Sequence, residues 1–255
     1  MDISNNPTDT NVNFLRHSAF FGPEDSHDKT LNIIGVGATG SWVGYLAAKM
    51  GWQNFQIWDA DIVESHNLPN QIYDFNQIGK LKTEAFKENL LKFNPDINVI
   101  THDEFYASKD HRNLIEDYVF VGVDTLSARK DILAGLKHHM LVEAIFESRM
   151  GFQHAEINFL NPANGSDVET YLALLKTDEE VPESACNARI ITTLTCVVAS
   201  SVVHSICALA AKSRHDSTSA NPEKEPITIP KKQIFSLPTT LTTFNIPPSN
   251  TPEST

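Results

Sequence analysis

Cysteine is scarce in this chain. The 255 residues hold three, Cys186, Cys196 and Cys207. The number is odd, and no C-x-x-C pair occurs anywhere. A structural four-cysteine zinc site is therefore excluded. A disulfide framework is disfavoured too, and a reducing compartment, the cytoplasm, is the expected location. Ten histidines are present, but none repeats at a ligand spacing such as H-x-x-x-H. Basic residues are also few: 20 Lys and Arg stand against 32 Asp and Glu, for a net charge of −12. A general nucleic-acid binder would present a basic surface, so no nucleic-acid partner is expected, although a local basic pocket stays open. The N-terminal MDISNNPTDTNVNF is polar and acidic, unlike a signal or transit peptide. Residues 190–211 form an apolar run of 22 free of Asp, Glu, Lys and Arg. A membrane span needs about 20 predominantly apolar residues. This run holds Thr192, Thr193, Thr195, Ser200, Ser201, His204 and Ser205, so it reads as a buried helix and no membrane association is expected.

What the chain does have is a glycine turn between a strand and a helix. Residues 31–51 read LNIIGVGATGSWVGYLAAKMG. Leu31, Ile33 and Ile34 supply a buried strand, and the helix opens near residues 39–41. Gly35, Gly37 and Gly40 fit G-x-G-x-x-G. The first glycine permits the tight turn, the second admits a phosphate to the backbone, and the third lets helix and strand pack closely. Free N–H groups and the positive helix end then face an anion. A second strand, 54–58, ends at Asp59, with Asp61 two residues on, near the spacing of a ribose-binding acid.

The rest alternates strand and helix. Residues 62–78 form a long loop, and long loops are often functional. An amphipathic helix follows over 79–93, then a strand over 97–101 and a short polar helix over 109–117. The apolar run YVFVGV (118–123) is a strand with Asp124 at its carboxyl end. A helix over 125–138 and a strand over 140–146 come next, then an added antiparallel strand over 152–160 and a helix over 167–175. A long helix spans 189–212. This pattern predicts an α/β, Rossmann-like fold with a mostly parallel sheet covered by helices on both faces. Residues 1–29 form an N-terminal arm, 30–212 the nucleotide-binding domain, and 213–255 a linker-like tail with a strand available at 231–245. Ligands of such sheets bind beyond the carboxyl ends of the strands. The glycine turn, Asp59, Asp61 and Asp124 all fall there.

At residues 58–82, WDADIVESHNLPNQIYDFNQIGKLK, the chain resembles the ThiF/MoeB/HesA family, relatives of ubiquitin-activating enzymes. The shared marks are the glycine turn, the Asp-x-Asp strand end at Asp59 and Asp61, and the segment Asn67-Leu68-Pro69-Asn70-Gln71. Gly79-Lys80-Leu81-Lys82 and Asp124 complete them. ESRMG (147–151) and CNAR (186–189) also resemble phage-type and bacterial members. The resemblance implies a homodimer that uses Mg·ATP to adenylate the C-terminal carboxylate of a ubiquitin-like protein, a sulfur carrier or a peptide.

Carried over, Asp61 or Asp59 would hold the ribose hydroxyls, Lys82 the phosphates and Asp124 the Mg²⁺. Asn67 and Gln71 would line the phosphate side. Lys82 and Mg²⁺ suit the charge that develops on the phosphates, and a carboxylate is the oxygen ligand Mg²⁺ prefers. Cys186, ahead of the long helix, is a candidate nucleophile for a covalent acceptor adduct; the competing reading is a buried small hydrophobe. The family's arginine in Asn-Leu-x-Arg-Gln is Asn70 here. Arg129 and Arg149 are the candidate substitutes, and Arg16 the candidate arginine reaching across a dimer. The apolar residues of 190–211 offer a surface for a second subunit to cover. Two other readings stay open: an NAD-dependent oxidoreductase, and a ThiF-like module that binds nucleotide or partner without chemistry.

Overall fold

The computed structural model describes residues 11–151, 154–177, 192–212 and 228–236. Seven strands form one sheet: β1 Thr30–Ile34, β2 Asn54–Trp58, β3 Asn98–His102, β4 Asp117–Val121, β5 Val142–Met150, β6 His154–Leu160 and β7 Lys232–Ser236. Their order is β3-β2-β1-β4-β5-β6-β7. Pairing is parallel from β3 through β5 and antiparallel for β5 with β6 and β6 with β7. The order reverses between β1 and β4, which puts the crevice of a doubly wound sheet at their carboxyl ends.

Two apolar cores flank the sheet. On one side Ile33, Ile57, Phe120 and Phe146 meet α1 (Ala38–Met50), α2 (Lys82–Phe93) and the long helix Thr192–Ala210. On the other, Ile34, Val121 and Ile145 meet α4 (Leu126–Leu136) and α5 (Gly165–Leu174). The short α3 is Ser108–His111, and Thr192–Ala210 is α6. By length and composition α6 would suffice to cross a membrane, but 61% of its most apolar window is buried. Its apolar face lies against the core, so the expected buried helix is what the fold contains. Phe21, ahead of β1, is also fully buried and stacks on Trp52 at 5.8 Å.

Several boundaries move for identifiable reasons. The helix expected from Gly79 begins at Lys82. Gly79 has φ +88°, Gly79 N and Val63 O are 2.8 Å apart, and Ile62 bridges Leu81. Residues 79–81 are thus paired with the loop before the helix starts. The helix expected over 109–117 is only α3 and one 3-10 turn. Asp117 is taken into β4 with φ +57°, where its carboxylate accepts Thr30 N–H at 2.8 Å. β5 outruns the expected 140–146 because its far half gains β6 as a partner, Met150 facing Ala155. The tail supplies β7, Lys232–Ser236.

Candidate functional site

The glycine turn sits at the crevice, and each glycine has a different neighbour. Gly35 has φ +91°, and its N–H donates to Trp58 O at 2.8 Å. A Cβ on Gly40 would lie 1.9 Å from Gly35 O, and one on Gly35 2.9 Å from Gly122 O. These two glycines serve packing. Around Gly37 a Cβ would meet nothing within 4 Å. Gly37 caps α1 without any side-chain hydrogen bond to the helix end. The result is an open cradle of backbone donors at a helix N-terminus, suited to an anion.

The two aspartates after β2 divide the work. Asp59 is buried, with 6% of its surface exposed. Its Oδ2 accepts Val36 N–H and its Oδ1 accepts Asp61 N–H, each at 2.9 Å. Burial pushes its carboxyl above the ordinary range, while the Lys82 ammonium and the two backbone donors pull it back. Asp59 therefore braces the glycine turn. Asp61 is half exposed, and its Oδ2 accepts Lys82 Nζ at 2.7 Å. Lys82 is buried apart from this contact, so its charge points to one place. Tyr73, which sequence reasoning missed, lies beneath. Its hydroxyl donates to Val36 O at 2.7 Å and is 3.4 Å from Lys82 O. A tyrosine inside a polar loop carried no periodic signal to mark it.

Asn67 is buried and serves its own loop: its Oδ1 accepts Glu64 N–H at 2.8 Å. Gln71 Oε1 and Asn70 Oδ1 are buried acceptors with no hydrogen-bond partner among the described residues. Trp42 Nε1 donates to Asn70 O at 3.1 Å and fixes that segment against α1.

Asp124 is exposed, three residues past the end of β4. Thr125 caps α4, its hydroxyl accepting Ala128 N–H at 3.3 Å, so Asp124 is not needed as the cap. No group of three or more His, Cys, Asp or Glu able to hold a metal occurs among the described residues. A Mg²⁺ at Asp124 would therefore lean on substrate phosphates, the usual arrangement for this ion.

The two substitute arginines are already engaged. Arg129 is 4% exposed and paired with the fully buried Glu147. Arg149 pairs with Glu156. Neither stands as a free cation, and Glu147 was not legible as their partner. Arg16 is exposed ahead of β1. Cys186 and the CNAR block lie outside the described residues.

The ThiF family model matches residues 17–245. A Ubiquitin-like modifier-activating enzyme 5 of Caenorhabditis briggsae is 31% identical over 134 residues, 52% of this chain and 29% of that protein. A tRNA threonylcarbamoyladenosine dehydratase of Haemophilus influenzae is 30% identical over 113 residues, 43% of each. The chain thus matches less than half the length of these curated relatives. Among solved structures, E. coli MccB with ATP superposes with a TM-score of 0.63 at 17% identity, covering 88% of this chain and 65% of that one. At that identity the likeness shows the fold alone. The family match over most of the sequence, joined to a glycine turn and strand ends in the expected places, makes this chain a member of the ThiF family.

Proposed function

We propose that this chain is an ATP-dependent adenylyltransferase acting on the C-terminal carboxylate of a ubiquitin-like protein, a sulfur carrier or a peptide. The observation that carries the reading is the cluster at the sheet's carboxyl edge. The open Gly37 cradle, Asp61 with its partner Lys82, and exposed Asp124 follow the carboxyl ends of the neighbouring strands β1, β2 and β4. Asp61, not Asp59, is free enough to take ribose hydroxyls, since both Asp59 oxygens hold backbone N–H groups. Lys82 Nζ would leave Asp61 for the polyphosphate. Asp124 would hold Mg²⁺, which when bound offsets phosphate charge. An acceptor carboxylate oxygen attacks the α-phosphorus, the bond to the β-phosphate oxygen breaks, and pyrophosphate leaves. Asn67 shapes the loop beside the phosphates, and Gln71 offers an unpartnered amide oxygen.

The relatives' names support this reading. One is called an activating enzyme for a ubiquitin-like modifier, and MccB has been solved with ATP and with MccA. Asn70 supplies no cation where the family resemblance implies arginine. The decisive experiment is isotope exchange between pyrophosphate and ATP with candidate Gly-terminated proteins and peptides. Asp124→Ala should abolish exchange while the protein melts normally, because an exposed carboxylate contributes little to the core. Normal exchange in that variant would remove Asp124 from the site. Nucleotide binding without exchange under any acceptor would make the chain a binding module. In the same reading, Cys186→Ala keeps exchange but loses any covalent acceptor adduct.

A further inference from the structure

Glu147 has no exposed surface, a costly place for a carboxylate unless it is fully paired. Its partners come from three elements besides its own strand. Arg129 of α4 forms an ion pair with it. Asn158 Nδ2 of β6 donates at 2.8 Å, and the Tyr171 hydroxyl of α5 donates at 2.5 Å. Arg149 Nε lies 3.7 Å away. Its guanidinium also sits 5.6 Å over the Tyr171 ring. Burial and the Glu147 charge hold the Tyr171 hydroxyl far above its ordinary range, so it remains a donor.

Neutralising Glu147 would need only one contact from Arg129, yet the guanidinium makes three. Nη1 donates to Glu147 and also to Ser148 O at 3.1 Å, and Nη2 donates to Val123 O. That last carbonyl belongs to the peptide that carries the Asp124 N–H. Arg129 thus ties the end of β5 to the backbone just before Asp124. The same segment is held from the other side. Gly122 N–H donates to Ile34 O at 2.9 Å, and Gly122 O lies against Gly35. β5 in turn reaches the glycine turn through Met150, whose sulfur accepts the Thr39 hydroxyl at 3.8 Å.

We infer that Arg129 is a positioning residue: with Glu147 it sets the Asp124 carboxylate against the glycine cradle. The inference rests on the nucleotide reading of that crevice. The planar fork of Arg spans separated acceptors in fixed geometry, and the point charge of Lys does not. Arg129→Lys therefore keeps a cation beside Glu147 while releasing Val123 O.

The test uses the full chain with an α,β-methylene analogue of ATP, titrated with Mg²⁺ and separately in EDTA. In the wild type Mg²⁺ should tighten binding. In Arg129→Lys that metal-dependent gain should fall about tenfold, with metal-free affinity held within about twofold, because sub-ångström misplacement costs most where geometry is strict. Amide exchange at residues 122–125 should quicken about tenfold relative to β4, as expected for a locally released segment. An intact metal-dependent gain, or an equal fall in both affinities, overturns the inference. If the wild type binds no nucleotide, the nucleotide reading fails by itself. Exchange then decides alone, and an unchanged rate at Asp124 rejects the clamp. Should Arg129→Lys not fold, Glu147→Gln takes its place with the same readouts and the same deciding outcomes.

Discussion

Lys82 reaches the crevice already neutralised, 2.7 Å from Asp61. In the proposed reading a polyphosphate displaces that carboxylate, so the pair would hold the lysine ready and set a threshold for binding. Lys82→Met should cut pyrophosphate exchange by about 10²–10³-fold, the scale of one lost charge-stabilising donor. It also removes a charge that lowers the Asp59 carboxyl. Asp59 would then rise further above its unfolded value. A group with a raised folded pKa adds stability that is full below the unfolded pKa and is lost as pH rises through the folded one. The variant's deficit in urea melts should therefore be larger at neutral pH than at mildly acidic pH. His102 runs the other way. It stacks on Trp58 at 4.4 Å, and burial together with the nearby His111 charge lowers its pKa, while Glu104 and Asp103 oppose the shift. Its contribution is full above the unfolded pKa of about 6.5 and is lost as pH falls through the folded value. His102→Gln should flatten the loss of stability on acidification below about pH 6.5. An unchanged slope in stepped-pH unfolding would show that His102 does not carry it.

At the scale of elements, the glycines allow a clean separation of packing from binding. Gly40→Ala would drive a Cβ to 1.9 Å from Gly35 O and should cost about 1–3 kcal/mol through overpacking. Gly37→Ala has open space around it. It should melt like the wild type yet bind nucleotide more weakly; calorimetry and thermal melts on the two variants check this. Such local features were legible in the sequence because they depend on neighbours a few residues apart. Strand β1, the turn, α1 and β2 all carry their period and their punctuation in one stretch. The start of α2 was not legible, since residues 79–81 pair with Ile62 and Val63 across the loop. The role of Arg129 was also hidden. From the sequence it is a candidate substitute cation, and only the fold brings it to Glu147, whose carboxylate also holds Asn158 and Tyr171. The bracing part of Asp59 was not legible either, since it needs the backbone donors of Val36 and Asp61 in place.

For the whole molecule, the apolar residues of α6, Thr192–Ala210, which the sequence offers to a second subunit, are largely covered within the chain, where α6 packs into the core beside α1. What remains is the family resemblance, which implies a homodimer. Sedimentation should then give twice the 28.3 kDa chain mass, and Arg16→Ala should lower exchange only in that assembled form; a monomer at micromolar concentration would reject both. The seventh strand carries a different consequence, one of timing. The hydrogen bond between Ser236 and His154 joins residues 82 positions apart, whereas β1 and β2 are joined through a single helix. Closing so long a loop comes late in folding, because its entropy must be spent before the contact is gained. β7, an edge strand with one neighbour, should dock after β1 has paired with β2 and leave before that pair parts. Pulse-labelled amides of Gln233 and Phe235 should gain protection after those of β1 and β2, so the glycine turn would stand between its first two strands before the antiparallel edge closes.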